Sequence, residues 1–237
     1  MTTLARKPDA RPEAAHPGLL GRLNWLRAGV LGANDGIVST AALVLGFAGA
    51  TTSRTAILFA GLVGLLAGAM SMAAGEYVSV STQRDSERAV LVRQRRLLAE
   101  HPGAEMQALA QAYEAKGIDR ALAARVAEQL TAHDALSAHA EARFGIDADA
   151  LTNPWHAAYA SFIAFGIGAL IPLAGFAVDT TIWVTVLVVA VALAGTGAAS
   201  ARLGGASLPR AIARNVGGGL AAMGVTYALG ALVGLTL

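Results

Sequence analysis

Cysteine is absent from the 237-residue sequence, and charged side chains are scarce. The absence of cysteine excludes disulfide bonds, thiolate metal ligands and cysteine nucleophiles. Asp, Glu, Lys and Arg make up only 14% of the residues, whereas 55% are hydrophobic and the mean hydropathy is +0.53. This composition is typical of a membrane protein. The net charge of +2 is small and gives no indication of a nucleic-acid partner.

The motifs of two intramembrane enzyme classes are also missing. A metalloprotease would need an HExxH helix, and an aspartyl protease would need a second aspartate at membrane depth; the sequence has neither. The five histidines lie outside the apolar segments or at their edges, and we expect ordinary surface histidines. We therefore predict that the chain is not an enzyme and has no permanently bound cofactor.

Five apolar segments have the roughly 20-residue length that crosses a bilayer. They cover residues 27–50, 55–80, 155–178, 181–200 and 211–236. A polar insert between the second and third segments holds 11 of the 16 Asp and Glu residues. The sequence thus predicts an all-α membrane protein with five transmembrane helices. The predicted regions are a polar tail (1–24), helices one and two (25–81), the insert (82–154) and helices three to five (155–237).

The basic residues predict the orientation in the membrane. Seventeen of the 18 Lys and Arg residues lie in the N-terminal flank, the insert or the loop between spans four and five. Arg54 alone falls on the other side. Because basic loops stay in the cytoplasm, we expect a cytoplasmic N-terminus and insert and an external C-terminus.

The insert has the pattern of three helices. The first, residues 85–100, continues directly from span two, and the sequence HPG then interrupts the chain. The second ends at Gly117, and the third covers residues 118–145 and ends at Gly145. Apolar residues at helical spacing, including Leu122 and Val126, predict the buried face of the third helix.

Two acids lie within the predicted spans, Asp35 in the first and Glu76 in the second. A carboxylate at this depth is costly and usually lines a polar pathway; the alternative is a packing residue satisfied by a neighbouring Ser or Asn. Asp35 follows Arg27 by eight residues, which places it about 12 Å deep. Met72 has a similar depth, and Glu76 lies one helical turn closer to the cytoplasm.

Carboxylate oxygen combined with thioether sulfur favours a first-row transition metal such as Fe²⁺. The alternative for Met70 and Met72 is that they only fill gaps between helices. Because one chain offers few ligands, a homodimer with span one near its two-fold axis would complete the site. Glycine pairs such as Gly32 with Gly36 and Gly230 with Gly234 would allow close helix packing.

The segments LRAGVLGANDGIVSTAALVLGFAGA and AGAMSMAAGEYVSVSTQRDSE closely resemble the vacuolar iron transporter family. The later segments EQLTAHDALSAHA, GIGALIPLAGF and VTYALGALVG are similar to the same family. The resemblance implies a five-span homodimer that moves Fe²⁺, and often Mn²⁺, out of the cytoplasm in exchange for protons. It also implies that Asp35, Met72 and Glu76 line the metal path, with membrane lipid around the spans.

The insert fits the family less well. The resemblance implies a second metal site rich in glutamate, but of the four matching positions only Glu105 is acidic, and Gln94 is one of the replacements. Ala142 or Arg143 stands where a further acid is expected. One interpretation is a weak or different metal site involving Glu100, Glu105, Glu114 and Glu141, together with His101. The other is a scaffold that stabilises the dimer.

The sequence therefore predicts a proton-coupled transporter that exports a divalent transition metal, Fe²⁺ or Mn²⁺, from the cytoplasm. The alternative is a membrane-anchored metal sensor or scaffold, which would bind metal or a partner without transport. The Ala-, Gly- and Arg-rich composition favours a bacterial plasma (inner) membrane as the location of this multi-pass protein.

Overall fold

The computed structural model describes residues 17–148 and 150–236, with side chains from Gly29 onward. The first sixteen residues of the predicted tail lie outside the described residues. In the described part of the chain the structure is helical, without β-strands. Its helices are α1 (Pro17–Ala50), α2 (Arg54–Glu100), α3 (Pro102–Glu114), α4 (Arg120–His139), a π-helical turn (Ala140–Phe144), α5 (Pro154–Val178), α6 (Ile182–Gly204) and α7 (Leu208–Gly234).

Five of these helices are long and apolar enough to cross a membrane: α1 from Gly29, α2, α5, α6 and α7. The predicted all-α membrane class with five spans is thereby confirmed. The orientation of the termini and the cytoplasmic position of the insert stay predictions. Helix α1 begins at Pro17, earlier than the predicted residue 27, because the leucine-rich segment before the span also favours helix.

The chain divides into two compact units, residues 73–159 and the remainder. The core of the larger unit is formed by apolar side chains of its membrane-spanning helices. Its fully buried members include Ile37, Val44, Val189 and Leu193. Outward-facing positions such as Phe59, Ile167 and Leu229 are also apolar, as expected for a surface surrounded by lipid.

Helix α1 packs against α7 with the two backbones in direct contact. A Cβ atom added to Gly230 would collide with the carbonyl oxygen of Gly46, and one added to Gly49 would collide with that of Tyr227. The same contact continues at Gly234, where a Cβ would lie 2.8 Å from the carbonyl oxygen of Ala50. Glycine is therefore required at these positions, because any side chain would force the helices apart.

The contact between α1 and α5 is equally close. A Cβ atom on Gly36 would meet the carbonyl oxygen of Phe165, and one on Gly168 would meet that of Ala33. Since Asp35 directly precedes Gly36, this contact lies beside the candidate site. It leaves α1 little freedom to rotate there.

In the smaller unit, α3 and α4 pack through Leu109, Ala110 and Ala127. The predicted buried face of α4 is confirmed only in part, because Val126 is partly buried and Leu130 packs against this cluster, but Leu122 is 45% exposed and Ala123 is fully buried. Small alanine side chains on α4 allow α3 to approach closely. The predicted continuity of span two into the insert is confirmed, since α2 ends only at Glu100.

The predicted third helix of the insert contains a kink that the sequence analysis missed. Asp134 has extended backbone angles, φ −155° and ψ 96°. Its carboxylate accepts hydrogen bonds from the backbone N and the Oγ of Ser137, at 3.0 and 2.8 Å, which lowers the pKa of Asp134. Asp134 thus caps a new helical start. The predicted end at Gly145 is confirmed by its positive φ of 66°.

Candidate functional site

A groove of about 420 Å³ runs between α1 and α2 in the larger unit, and both Asp35 and Met72 line it. Asp35 is exposed in the single chain, whereas Met72 is partly buried. At about 30 Å³ per water, the groove has room for a metal ion with part of its hydration shell. The structure therefore brings together one carboxylate and one thioether in a space of suitable size.

Hydroxyl groups form the rest of the polar lining. Ser39, Thr40 and Ser71 all border the groove. Ser39 donates a hydrogen bond to the backbone carbonyl oxygen of Asp35 at 2.5 Å. The hydroxyl of Thr40 is buried without a hydrogen-bond partner in the part of the chain that the structure describes. A cation in the groove would thus meet additional oxygen ligands of the kind that hard and borderline metals accept.

Two glycines of α2 keep the groove open. A Cβ atom on Gly64 would collide with the Leu43 side chain, and one on Gly68 would collide with the ring of Phe165. The two methionines lie in different environments. Met72 lines the groove, whereas Met70 does not and is 65% exposed. The gap-filling interpretation does not suit exposed Met70, whereas Met72 both borders the groove and packs against the buried apolar core.

Glu76 follows Met72 by four residues, which is one turn along α2. It is partly buried and belongs to the unit of residues 73–159. Its predicted role in the metal path stays a prediction.

Asn34, next to Asp35, forms a polar cluster with two other spans. Its side-chain oxygen accepts hydrogen bonds from Thr196 Oγ1 of α6 at 3.1 Å and from Asn215 Nδ2 of α7 at 3.0 Å. Sequence reasoning missed Thr196 and Asn215, because it searched the spans for charges. A search for all polar side chains in the apolar segments would have found Asn215.

The Asp35 side chain makes no hydrogen bond or ion pair within residues 29–148 and 150–236. The interpretation of Asp35 as a packing residue satisfied by a neighbouring Ser or Asn therefore has no contact to support it in the single chain. Asn34 has that packing role instead.

The insert contains a second polar cluster, centred on the carboxylate of Glu105. Its Oε2 accepts hydrogen bonds from Gln94 Nε2 at 2.6 Å and from Arg143 Nη1 at 2.8 Å. His139 Nδ1 lies 3.6 Å from the same oxygen and 3.1 Å from Gln94 Nε2. Arg143 neutralises the carboxylate, so Glu105 is satisfied by groups of the protein itself.

His139 contradicts the expectation that the histidines lie at the surface, because its side chain is completely buried. Its Nε2 atom has no hydrogen-bond partner among the described residues. Burial lowers the pKa of His139 below its ordinary value of 6.5; the negative charge of Glu105 opposes this effect and the positive charge of Arg143 adds to it. His139 is therefore held as the neutral imidazole.

The other glutamates of the predicted weak metal site lie in separate contacts. Glu100 pairs with Arg96 at 3.5 Å, Glu114 lies 4.0 Å from Arg120, and Glu141 is exposed. Among the described residues, no group of three or more His, Asp or Glu side chains is placed to hold a metal ion. The single chain thus does not assemble the four predicted glutamates.

The insert should lose stability when the pH falls below about 6.5, because the unfolded chain then takes up a proton that buried His139 resists. We expect the insert of the full-length protein to become more susceptible to protease between pH values of about 7.5 and 5.5. This acid effect should be smaller in His139→Gln, which cannot be protonated. His133→Gln, at an exposed position of α4, should behave like the wild type. Equal acid sensitivity in all three proteins would contradict the role of His139.

Five helices that are long and apolar enough to span a membrane define a multi-pass membrane protein, and a groove between two of them contains the carboxylate of Asp35. The family model described as the VIT family matches residues 26–231. The chain belongs to this family, and the resemblance to the vacuolar iron transporters is confirmed.

Three curated relatives show how far the similarity extends. A "Vacuolar iron transporter" of Acanthamoeba castellanii is 40% identical over 225 residues, covering 92% of this chain and 82% of the relative. "Vacuolar iron transporter homolog 5" of Oryza sativa subsp. japonica is 41% identical, covering 89% and 81%. "Vacuolar iron transporter homolog 2.1" of Arabidopsis thaliana is 34% identical, covering 97% and 90%.

The relatives correct one prediction. They are eukaryotic proteins named as vacuolar transporters, so the predicted bacterial plasma membrane is wrong, while the multi-pass membrane character holds. The error has a physical reason. Alanine and glycine are abundant because closely packed spans require small residues in any membrane, so this composition carries no information about the compartment.

Proposed function

We propose that this chain carries Fe²⁺, and also Mn²⁺, out of the cytoplasm across the membrane of a vacuole-like compartment in exchange for protons. The relatives named as vacuolar iron transporters support the cargo and the compartment. The observation that carries the proposal is the groove that both Asp35 and Met72 line. No catalytic role is proposed for any residue.

The donor atoms support a borderline transition metal as the cargo. The Asp35 carboxylate supplies negative charge, and the Met72 thioether favours Fe²⁺ over harder Mg²⁺ and Ca²⁺. The hydroxyls around them are neutral and suit a partly hydrated ion. Transport requires that such a site also releases the ion.

A homodimer is part of the proposal because Asp35 is exposed in the single chain. An acid that faces lipid at membrane depth costs several kcal/mol. A second copy, related by a two-fold axis near α1, would cover the groove and double the carboxylate and thioether ligands.

Proton exchange would follow from the two acids at membrane depth. One divalent ion neutralises two carboxylates, and protons replace the metal when the empty site returns. We assign these roles to Asp35 and Glu76. An acidic compartment would then release the metal and drive the cycle.

The insert acts as a scaffold for the dimer in this proposal, since Arg143 already neutralises Glu105. A weak metal site built from Glu100, Glu105, Glu114 and Glu141 is the alternative proposal. That alternative requires Arg143 to leave Glu105 and the other glutamates to approach it.

Reconstitution tests the proposed function. Proteoliposomes with an acidic lumen should take up Fe²⁺ and Mn²⁺ faster than protein-free vesicles do, and Mg²⁺ and Ca²⁺ should compete poorly. Uptake indistinguishable from protein-free vesicles for every metal would contradict the proposal.

Met72→Leu removes the sulfur and keeps nearly the same side-chain volume. We expect Fe²⁺ uptake to fall about tenfold, because the groove loses the soft ligand that favours Fe²⁺. Met70→Leu is the matched control, since Met70 lies two residues away and does not border the groove. Uptake by the Met70 variant should equal that of the wild type, and an equal loss in both variants would contradict the assignment of Met72.

A further inference from the structure

The Asn34 cluster joins three membrane-spanning helices at one point. Asn34 of α1, Thr196 of α6 and Asn215 of α7 are each partly buried. Besides the two hydrogen bonds to Asn34, Asn215 Nδ2 lies 3.4 Å from Thr196 Oγ1, which closes the triangle. Each side chain thus contacts both of the others.

The Asn34 cluster adds bonds between helices to those that hydroxyl residues make within one helix. Thr196 Oγ1 lies 3.2 Å from the carbonyl oxygen of Leu193, just as Ser39 and Thr226 donate to carbonyl oxygens of their own helices. The Thr196 hydroxyl therefore shares its one proton between Leu193 O and Asn34 Oδ1, whereas among the described residues both donors to Asn34 Oδ1 lie on other helices. Since no water is available in the hydrocarbon core, moving Asn34 away would leave polar groups unsatisfied, so the cluster opposes rotation of α1.

The rotation of α1 decides where Asp35 points. Successive residues of a helix are separated by about 100°, so fixing Asn34 toward α6 and α7 also fixes the direction of Asp35. Asp35 then borders the groove between α1 and α2. The close contact of Gly36 with the backbone of α5 restricts α1 at the same level.

We propose that Asn34 is a positioning residue for the metal site, which holds Asp35 in the groove through its hydrogen bonds to Thr196 and Asn215. The proposal rests on the proposed metal transport and deepens it. It adds two residues on α6 and α7 that do not border the groove but determine its affinity for metal.

Thr196→Val tests the proposal, because it removes the hydroxyl and keeps the shape of the side chain. From the usual strength of interhelical hydrogen bonds in membranes, we expect the KM for Mn²⁺ uptake to rise about three- to tenfold, with little change in the maximal rate. Thr196→Ser should restore the wild-type KM. Asn215→Ala, which removes the other donor, should raise KM in the same range.

Thr185→Val is the matched control, because Thr185 lies on the same helix, is completely buried and has a hydroxyl without a partner among the described residues. Its KM should stay at the wild-type value. An unchanged KM in both Thr196→Val and Asn215→Ala would overturn the proposal. A lower yield of folded protein without a change in KM would indicate a purely structural role and would overturn it as well. An equal rise in Thr185→Val would also overturn it.

Equilibrium Mn²⁺ binding to the same purified proteins separates this proposal from the proposed transport. If the wild type binds Mn²⁺ without transporting it, the transport proposal fails. A higher Kd in Thr196→Val that returns to the wild-type value in Thr196→Ser would still support positioning. If the wild type transports Mn²⁺ and Kd and KM are the same in all variants, only positioning fails. If the wild type neither binds nor transports Mn²⁺, both fail.

Discussion

Asp35→Asn should lower Fe²⁺ and Mn²⁺ uptake at least about a hundredfold, which corresponds to a loss of about 2.7 kcal/mol. The amide has nearly the same shape as the carboxylate but carries no negative charge. At an effective dielectric constant of about 20, a single charge pair 4 Å apart contributes about 4 kcal/mol, so losing it is sufficient for this effect. The measurement is initial uptake into proteoliposomes that contain equal amounts of folded protein.

Asp179→Asn provides the control for this prediction. Asp179 lies in the short loop between α5 and α6, where it accepts a hydrogen bond from the backbone N of Thr181 at 2.8 Å. It is far in sequence from both groove helices, and its variant should transport like the wild type. If Asp35→Asn kept the wild-type uptake rate, the assignment of Asp35 as a metal ligand would be wrong.

Gly230→Ala should destabilise the membrane-spanning unit by about 3 kcal/mol or more, because overpacking of this kind moves backbones apart. The added methyl group would collide with the carbonyl oxygen of Gly46, which belongs to a rigid helix and cannot rotate away. For a protein of this size we expect the thermal unfolding midpoint in detergent to fall by about 10 °C.

Gly224→Ala is the matched control on the same helix. A Cβ atom at Gly224 would meet no other helix or side chain within 4 Å, and alanine favours helix more than glycine does. Its midpoint should equal or exceed that of the wild type. If both alanine variants unfolded at the same temperature, the close contact between α1 and α7 would not be important for stability.

The helices could be predicted because hydropathy and helix-breaking residues are local properties of the sequence. Long apolar segments identify the spans, and the Pro102 region ends α2 where the sequence predicts a break. The kink at Asp134 could not be predicted in the same way, since it depends on a side chain that caps its own helix. Which residues of α4 are most deeply buried depends on α3, and the periodicity of α4 alone did not show that Leu122 is exposed.

The candidate site was predictable only in part. The depth calculated from the sequence indicated Asp35 and Met72 as site residues, and both line one groove in the structure. The partners of Asn34 lie 162 and 181 residues away in the sequence, and pairing at that distance depends on how the helices assemble. The Glu105 cluster could be anticipated in part, because Gln94 stands where the family resemblance implies an acid, and Ala142 or Arg143 at another such position. The burial of His139 could be found only from the structure.

Measuring flux and equilibrium binding of Mn²⁺ on the same wild-type preparation tests the central claim most directly. A transporter should bind Mn²⁺, carry it into the lumen of proteoliposomes, and do so faster when the lumen is acidic. Internal pH should rise during uptake, because protons leave as the metal enters. Binding without flux would contradict the transport function and favour a membrane-anchored metal sensor.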